Sequence, residues 1–194
     1  MVEERVEKIP SSRSTTLSRF NATSVPQPIP DIESDGESRI QLTHQEFSRV
    51  LGGGLVPGSI SLIGGDPGIG KSTLLLQIAL ELAKRLTVLY VSGEESERQI
   101  KMRADRLSQD QEGIPKNLPD KLLLITETNL EAILDHADTL DPGLLIVDSI
   151  QTSYLPQLES SAGSVSQVRE CASQLREYAK RTGTAVFLIG HVTK

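Results

Sequence analysis

The sequence predicts an α/β fold: a mostly parallel central sheet with helices on both faces. Three observations predict it. From Arg39 onward short apolar runs alternate with amphipathic stretches, the signature of strand–helix–strand units. The run Leu144–Asp148 (LLIVD) is apolar without alternation, as a strand buried on both faces must be. A glycine-rich stretch, Gly65–Ser72, stands between a strand-like and a helix-like segment, the setting of a phosphate-binding turn.

The elements follow in chain order. Ser59–Gly64 (SISLIG) reads as a first strand. Lys71–Arg85 reads as a helix, with Leu75, Ile78, Ala79 and Leu82 on one face and the basic Lys84 and Arg85 at its C-terminal end. Thr87–Ser92 is a second strand and Ser96–Leu107 a helix carrying Ile100, Ala104 and Leu107. Lys121–Thr126 is a third strand, and Leu130, Ile133, Leu134 and Ala137 mark the next helix. After the fourth strand, Leu144–Asp148, comes a helix over Ser164–Lys180, where Ser164 and Gln167 have the spacing of a capping box. Thr184–Gly190 closes the series as a fifth strand. Residues 1–37 differ: Ser, Thr and Pro crowd the stretch from Pro10 to Pro30, and its apolar residues keep no period. Such a segment buries too little surface to offset its ordering entropy and is expected to be a flexible linker, with the folded core over 38–194.

Composition narrows the class. The chain has 194 residues and a net charge of −6, so no global basicity marks it as a nucleic-acid binder. A single cysteine, Cys171, excludes an internal disulfide and a cysteine-built metal site. The start, Met1–Lys8, is charged rather than apolar, and no run reaches the length of a membrane span. A cytoplasmic protein without a membrane partner is expected.

The chemistry concentrates in four places. Gly65-Asp66-Pro67-Gly68-Ile69-Gly70-Lys71-Ser72 fits G-x-x-x-x-G-K-[ST] in full. Glycines let the backbone curl so that successive N–H groups face phosphate oxygens, and the helix that follows adds its positive end. Lys71 is placed to reach the β- and γ-phosphates of ATP, Ser72 to offer a hydroxyl to Mg2+, and Thr73 to complete the cradle. Asp148, ending an apolar strand, is the expected carboxylate on the metal side. In many ATPases a catalytic Glu follows that Asp directly; here the position is Ser149, so the base must come from elsewhere. Tyr90–Ser96 (YVSGEES) supplies two carboxylates at another strand end, with Glu94 favoured to position the attacking water and Glu95 second; either also suits the acidic first turn of a helix. His191, at the end of the fifth strand, is a candidate catalytic residue that senses the γ-phosphate or couples hydrolysis to movement. The small, polar stretch Ser160–Gln167 lies at the same edge, and Gln167 and Arg169 are candidate contacts to a DNA backbone.

Taken together, Val50–Ser59 (VLGGGLVPGS), the loop GGDPGIGKST from Gly64, the YVSGEES run, LLIVDSIQT, GSVSQVREC and the terminal GHVTK resemble the RadA (Sms) family of bacterial DNA repair proteins over residues 40–194. The resemblance implies a RecA-like ATPase core that uses ATP and Mg2+, related to hexameric replicative helicases. It implies a homo-hexamer when full length, action on single-stranded and branched DNA with branch migration, and partnership with the recombinase RecA. It further implies that this sequence is a piece of a longer protein, without the family's four-cysteine zinc ribbon, its KNRFG motif and its Lon-protease-like domain. Two other classes share the loop: a KaiC-like signalling ATPase, compatible with the paired glutamates and acidic charge, and a small-molecule kinase, for which no acceptor site or lid is recognisable.

Overall fold

A computed structural model describes residues 26, 28–31, 39–109, 113 and 117–191. By contacts the chain divides into Met1–Gly36 and Glu37–Lys194. Of the first unit the description covers Pro26 and Pro28–Asp31, the last three residues forming a single 3-10 turn. The linker expected over 1–37 otherwise lies outside the described residues, as does the end of the GHVTK run.

The second unit is built from β1 (Ile60–Gly65), α2 (Lys71–Leu82), β2 (Val88–Ser92), α3 (Glu97–Leu107), β3 (Leu122–Thr126), α4 (Leu130–Leu140), β4 (Leu144–Asp148), α5 (Val165–Thr182) and β5 (Ala185–His191), preceded by the short α1 (Gln45–Val50). The strands form one sheet in the order β1-β5-β4-β2-β3, every pair parallel. The fold is therefore the α/β, RecA-like P-loop core that the sequence predicts.

Alternation along the strands divides the core in two. Val88 and Tyr90 of β2, Ile146 of β4 and Phe187 of β5 face a cluster containing Leu75, Leu76, Ile78 and Leu82 of α2 and Ile100 and Ala104 of α3. Leu89, Val91, Leu145, Val147, Val186 and Leu188 point the other way, onto Leu130, Ile133 and Ala137 of α4 and Cys171, Leu175 and Tyr178 of α5. β2 and β4 are buried at every residue because helices cover both faces, whereas the outer strands β1 and β3 are only partly covered.

Helix boundaries follow local chemistry. α3 starts at a complete capping box, Ser96 with Gln99. Asn129 caps α4 and Ser164 caps α5, which ends on left-handed Gly183 (φ 81°). α2 stops at Leu82, short of the expected Arg85, because Arg85 N–H bonds Leu82 O in an i→i−3 turn. α1 is too short to show a period; it is capped by the His44 side chain and buries Phe47, whose ring lies 5.6 Å from that of Phe187. Among the described residues no helix is long and apolar enough to cross a membrane.

Parallel pairing puts the carboxyl ends of all five strands on one edge. Gly65 registers with His191, Asp148 with Ser92, and Ser92 with Thr126. The edge at which a parallel α/β sheet receives its ligand is thus where the motif residues converge.

Candidate active site

The phosphate loop leaves β1 at Gly65 and enters α2 at Lys71. Gly68 and Gly70 take positive φ values of 81° and 99°, and nothing lies within 4 Å of the place a Cβ would occupy on either. That leaves an open concavity beside left-handed backbone, as a phosphate cradle requires. Asp66, Pro67, Gly68, Ile69 and Gly70 are exposed, while Ser72 and Thr73 are half-buried in the first turn of α2. That helix has no side-chain cap and no acidic residue in its first turn, so its free N–H groups and positive end face the loop.

Lys71 is 7% exposed and its ammonium bends back over the loop. Nζ donates to Gly65 O at 2.8 Å and Asp66 O at 2.9 Å, and lies 3.4 Å from His191 Nδ1. An ammonium has no acceptor, so Nδ1 accepts and a neutral imidazole carries its proton on Nε2. That nitrogen faces Glu94 Oε1 at 3.5 Å. The same Oε1 accepts the Ser149 hydroxyl at 2.8 Å. A continuous polar chain, Lys71–His191–Glu94–Ser149, thus joins the phosphate loop to the ends of β5, β2 and β4.

The paired glutamates are separated by their partners. Glu95 is held by the Arg103 guanidinium of α3 in a close ion pair, and that carboxylate is the main reason Arg103 titrates above its ordinary value. Glu94, with its side chain 48% exposed, keeps its carboxylate on the side of Lys71 and His191. The sequence favours Glu94 as base with Glu95 second; the geometry brings Glu94 into the chain of contacts and pairs Glu95 with Arg103.

Asp148 is 7% exposed, and its Oδ2 accepts the Tyr90 hydroxyl at 2.7 Å. Burial first, and Asp148 second, push the Tyr90 phenol far above its ordinary value, so it is a permanent donor. Oδ1 is left for another partner. The peptide from Asp148 to Ser149 is cis. Ser72, in the first turn after the loop, and Asp148, at the end of β4, offer oxygen donors of the kind Mg2+ takes, an ion that binds few protein oxygens and keeps several waters. Among the described residues no group of three or more His, Cys, Asp or Glu gathers as an all-protein metal cage.

One expected contact is corrected. Gln167 is 1% exposed, and its side chain turns inward: Oε1 accepts Leu155 N–H at 2.9 Å, while Nε2 donates to the carbonyls of Leu155, Leu158 and Ser160. It stitches the loop after β4 to α5 and has no face for DNA. The same turn leaves only half of the expected capping box, the Ser164 hydroxyl accepting Gln167 N–H. Arg169 lies exposed on the first turns of α5. Sequence reasoning missed Tyr90, read as strand filler, and Ser149, read only as a missing carboxylate. For Ser149 the one available signal was its place directly after the end of β4; Tyr90, in the middle of β2, offered none.

Residues 30–194 match the family described as AAA domain. The chain is 50% identical to the DNA repair protein RadA of Halalkalibacterium halodurans and 49% identical to that of Bacillus subtilis, in both cases over all of its length. It is 47% identical to the RadA of Listeria monocytogenes over 98% of its length. The chain spans 41% of the length of these three relatives. With a phosphate loop, a strand-end carboxylate and a match running from residue 30 to residue 194, the chain belongs to the AAA domain family.

Proposed function

We propose that this chain is the ATPase core of a DNA repair protein, hydrolysing ATP to ADP and phosphate in a reaction that DNA stimulates. The observation that carries the reading is the contact chain Lys71–His191–Glu94–Ser149, which links a full phosphate-loop motif to a carboxylate suited to water activation.

In this reading the triphosphate lies along the N–H groups of residues 65–73. Lys71 exchanges the carbonyls of Gly65 and Asp66 for β- and γ-phosphate oxygens. Ser72 and Asp148 would hold Mg2+, which when bound would supply charge neutralisation on the phosphates. Glu94 orients a water and takes its proton as the water oxygen bonds the γ-phosphorus and the bridging bond to ADP breaks. His191, between Lys71 and Glu94, reports to the base whether Lys71 is engaged.

The names of the relatives support a role in DNA repair. The proposal extends to single-stranded and branched DNA as substrate, branch migration as outcome, RecA as partner, a homo-hexamer as the working form and the cytoplasm as its place. Arg169, exposed beside the loop after β4, is the proposed DNA contact. The test is phosphate release with and without single-stranded DNA. Single-stranded DNA is expected to raise the rate, Lys71→Ala to remove turnover, and Glu94→Gln to lower it by about 100-fold or more, the usual range for loss of a general base. Glu95→Gln is expected to stay within a few-fold of wild type. Full turnover by Lys71→Ala would sink the assignment, and no response to DNA would favour a signalling ATPase instead.

A further inference from the structure

The residue that replaces the expected carboxylate after Asp148 is itself placed to act on the base. Ser149 is completely buried. Its hydroxyl donates to Glu94 Oε1 at 2.8 Å, across 55 positions of sequence. Its own position is fixed from behind: its carbonyl accepts the Thr152 hydroxyl at 2.8 Å and the Thr152 N–H at 3.2 Å, and Ile150 N–H bonds Ile189 O at 2.9 Å. Glu94, by contrast, is about half exposed and follows β2 on a bend. A buried, braced donor thus meets a carboxylate that would otherwise sample several rotamers.

The two strand ends are also clamped by backbone. Gly93 N–H donates to Asp148 O at 2.8 Å. A Cβ on Gly93 would overlap the Thr152 hydroxyl and come within 2.7 Å of Thr152 Cβ. Glycine is needed there for close approach, and that approach brings Glu94 onto Ser149.

We propose that Ser149 is the positioning residue for Glu94, holding the carboxylate toward the phosphate loop, with Thr152 bracing it and Gly93 admitting the contact. The inference rests on Glu94 as the base. A water-activating carboxylate works through geometry as well as basicity, and small misplacements cost rate steeply.

The experiment measures kcat and KM for ATP, and equilibrium affinity for a fluorescent ATP analogue, in Ser149→Ala, Glu94→Gln and the double variant of the purified protein. Ser149→Ala is expected to lower kcat by about tenfold, a part of what the base contributes, with nucleotide affinity unchanged within about twofold. Ser149→Thr, which keeps the hydroxyl, should recover most of the rate. In the Glu94→Gln background Ser149→Ala should change the residual rate little, because the carboxylate it positions is gone. An unchanged kcat in Ser149→Ala, or an equal loss with and without Glu94, would overturn the positioning role while leaving the base in place. Wild-type turnover by Glu94→Gln would instead remove the base assignment, and this proposal with it.

Discussion

A buried ammonium needs every N–H paired, and Lys71 meets that condition with three acceptors: Gly65 O, Asp66 O and His191 Nδ1. In the proposed mode of binding phosphate oxygens replace them, and that exchange would disturb His191 and, through it, Glu94. Tyr90 does the corresponding work for Asp148. Its hydroxyl holds Oδ2 and leaves Oδ1 directed by that bond. Tyr90→Phe removes the donor and little else. The apparent Mg2+ affinity is expected to fall by about tenfold, the lower end for losing a partner of a metal ligand. A Mg2+ titration of ATP hydrolysis checks it, and an unchanged midpoint would place the metal away from Asp148. Residues of this scale divide by legibility. The loop Gly65–Ser72 was readable because its chemistry is contiguous. Tyr90–Asp148 and Lys71–His191 bridge 58 and 120 positions, and no local spacing encodes them.

Among elements, the strands and longer helices were legible because each carries its own period and cap. α1 was not, since its stability comes from Phe47 packing on β5 rather than from a pattern within six residues. The start of α5 shows how a correct element can hide a wrong role. Gln167 has the spacing of a capping residue and the chemistry of a phosphate contact, yet tertiary packing draws its amide under the loop after β4. Truncation would leave Leu155 N–H and the carbonyls it serves without partners in a buried site. Gln167→Ala is therefore expected to lower stability by about 2–3 kcal/mol, toward the upper end for buried unsatisfied groups. Arg169→Ala, at an exposed position, should leave stability within about 0.5 kcal/mol. Urea unfolding of the two variants decides between them. Equal and small losses would mean that Gln167 is not structural, and its candidacy as a DNA contact would reopen.

At the scale of the molecule, alternating strands and helices foretold a parallel sheet but not its order, because β1-β5-β4-β2-β3 is set by which crossover packs on which face. That order puts β5 and β4 between β1 and β2, so the loop after β1 and the carboxylate after β2 meet across the ends of two intervening strands. A nucleotide held as proposed would lie at the ends of β1, β2, β4 and β5, and its binding would stabilise the sheet as a unit. The increment follows from mass action: at a free concentration 100 times its Kd, a ligand bound only to the folded state adds about 2.7 kcal/mol. For a domain of this size each kcal/mol moves the midpoint by about 2–4 °C, giving a rise of about 5–11 °C. Mg2+ with a non-hydrolysable ATP analogue is expected to produce that shift in a thermal melt, and Lys71→Ala to abolish most of it. Glu94→Gln should keep it, since the proposed base would act on water rather than on the bound phosphates. A melt in which Glu94→Gln loses the shift along with Lys71→Ala would make Glu94 part of the binding surface and take the water-activating role away from it.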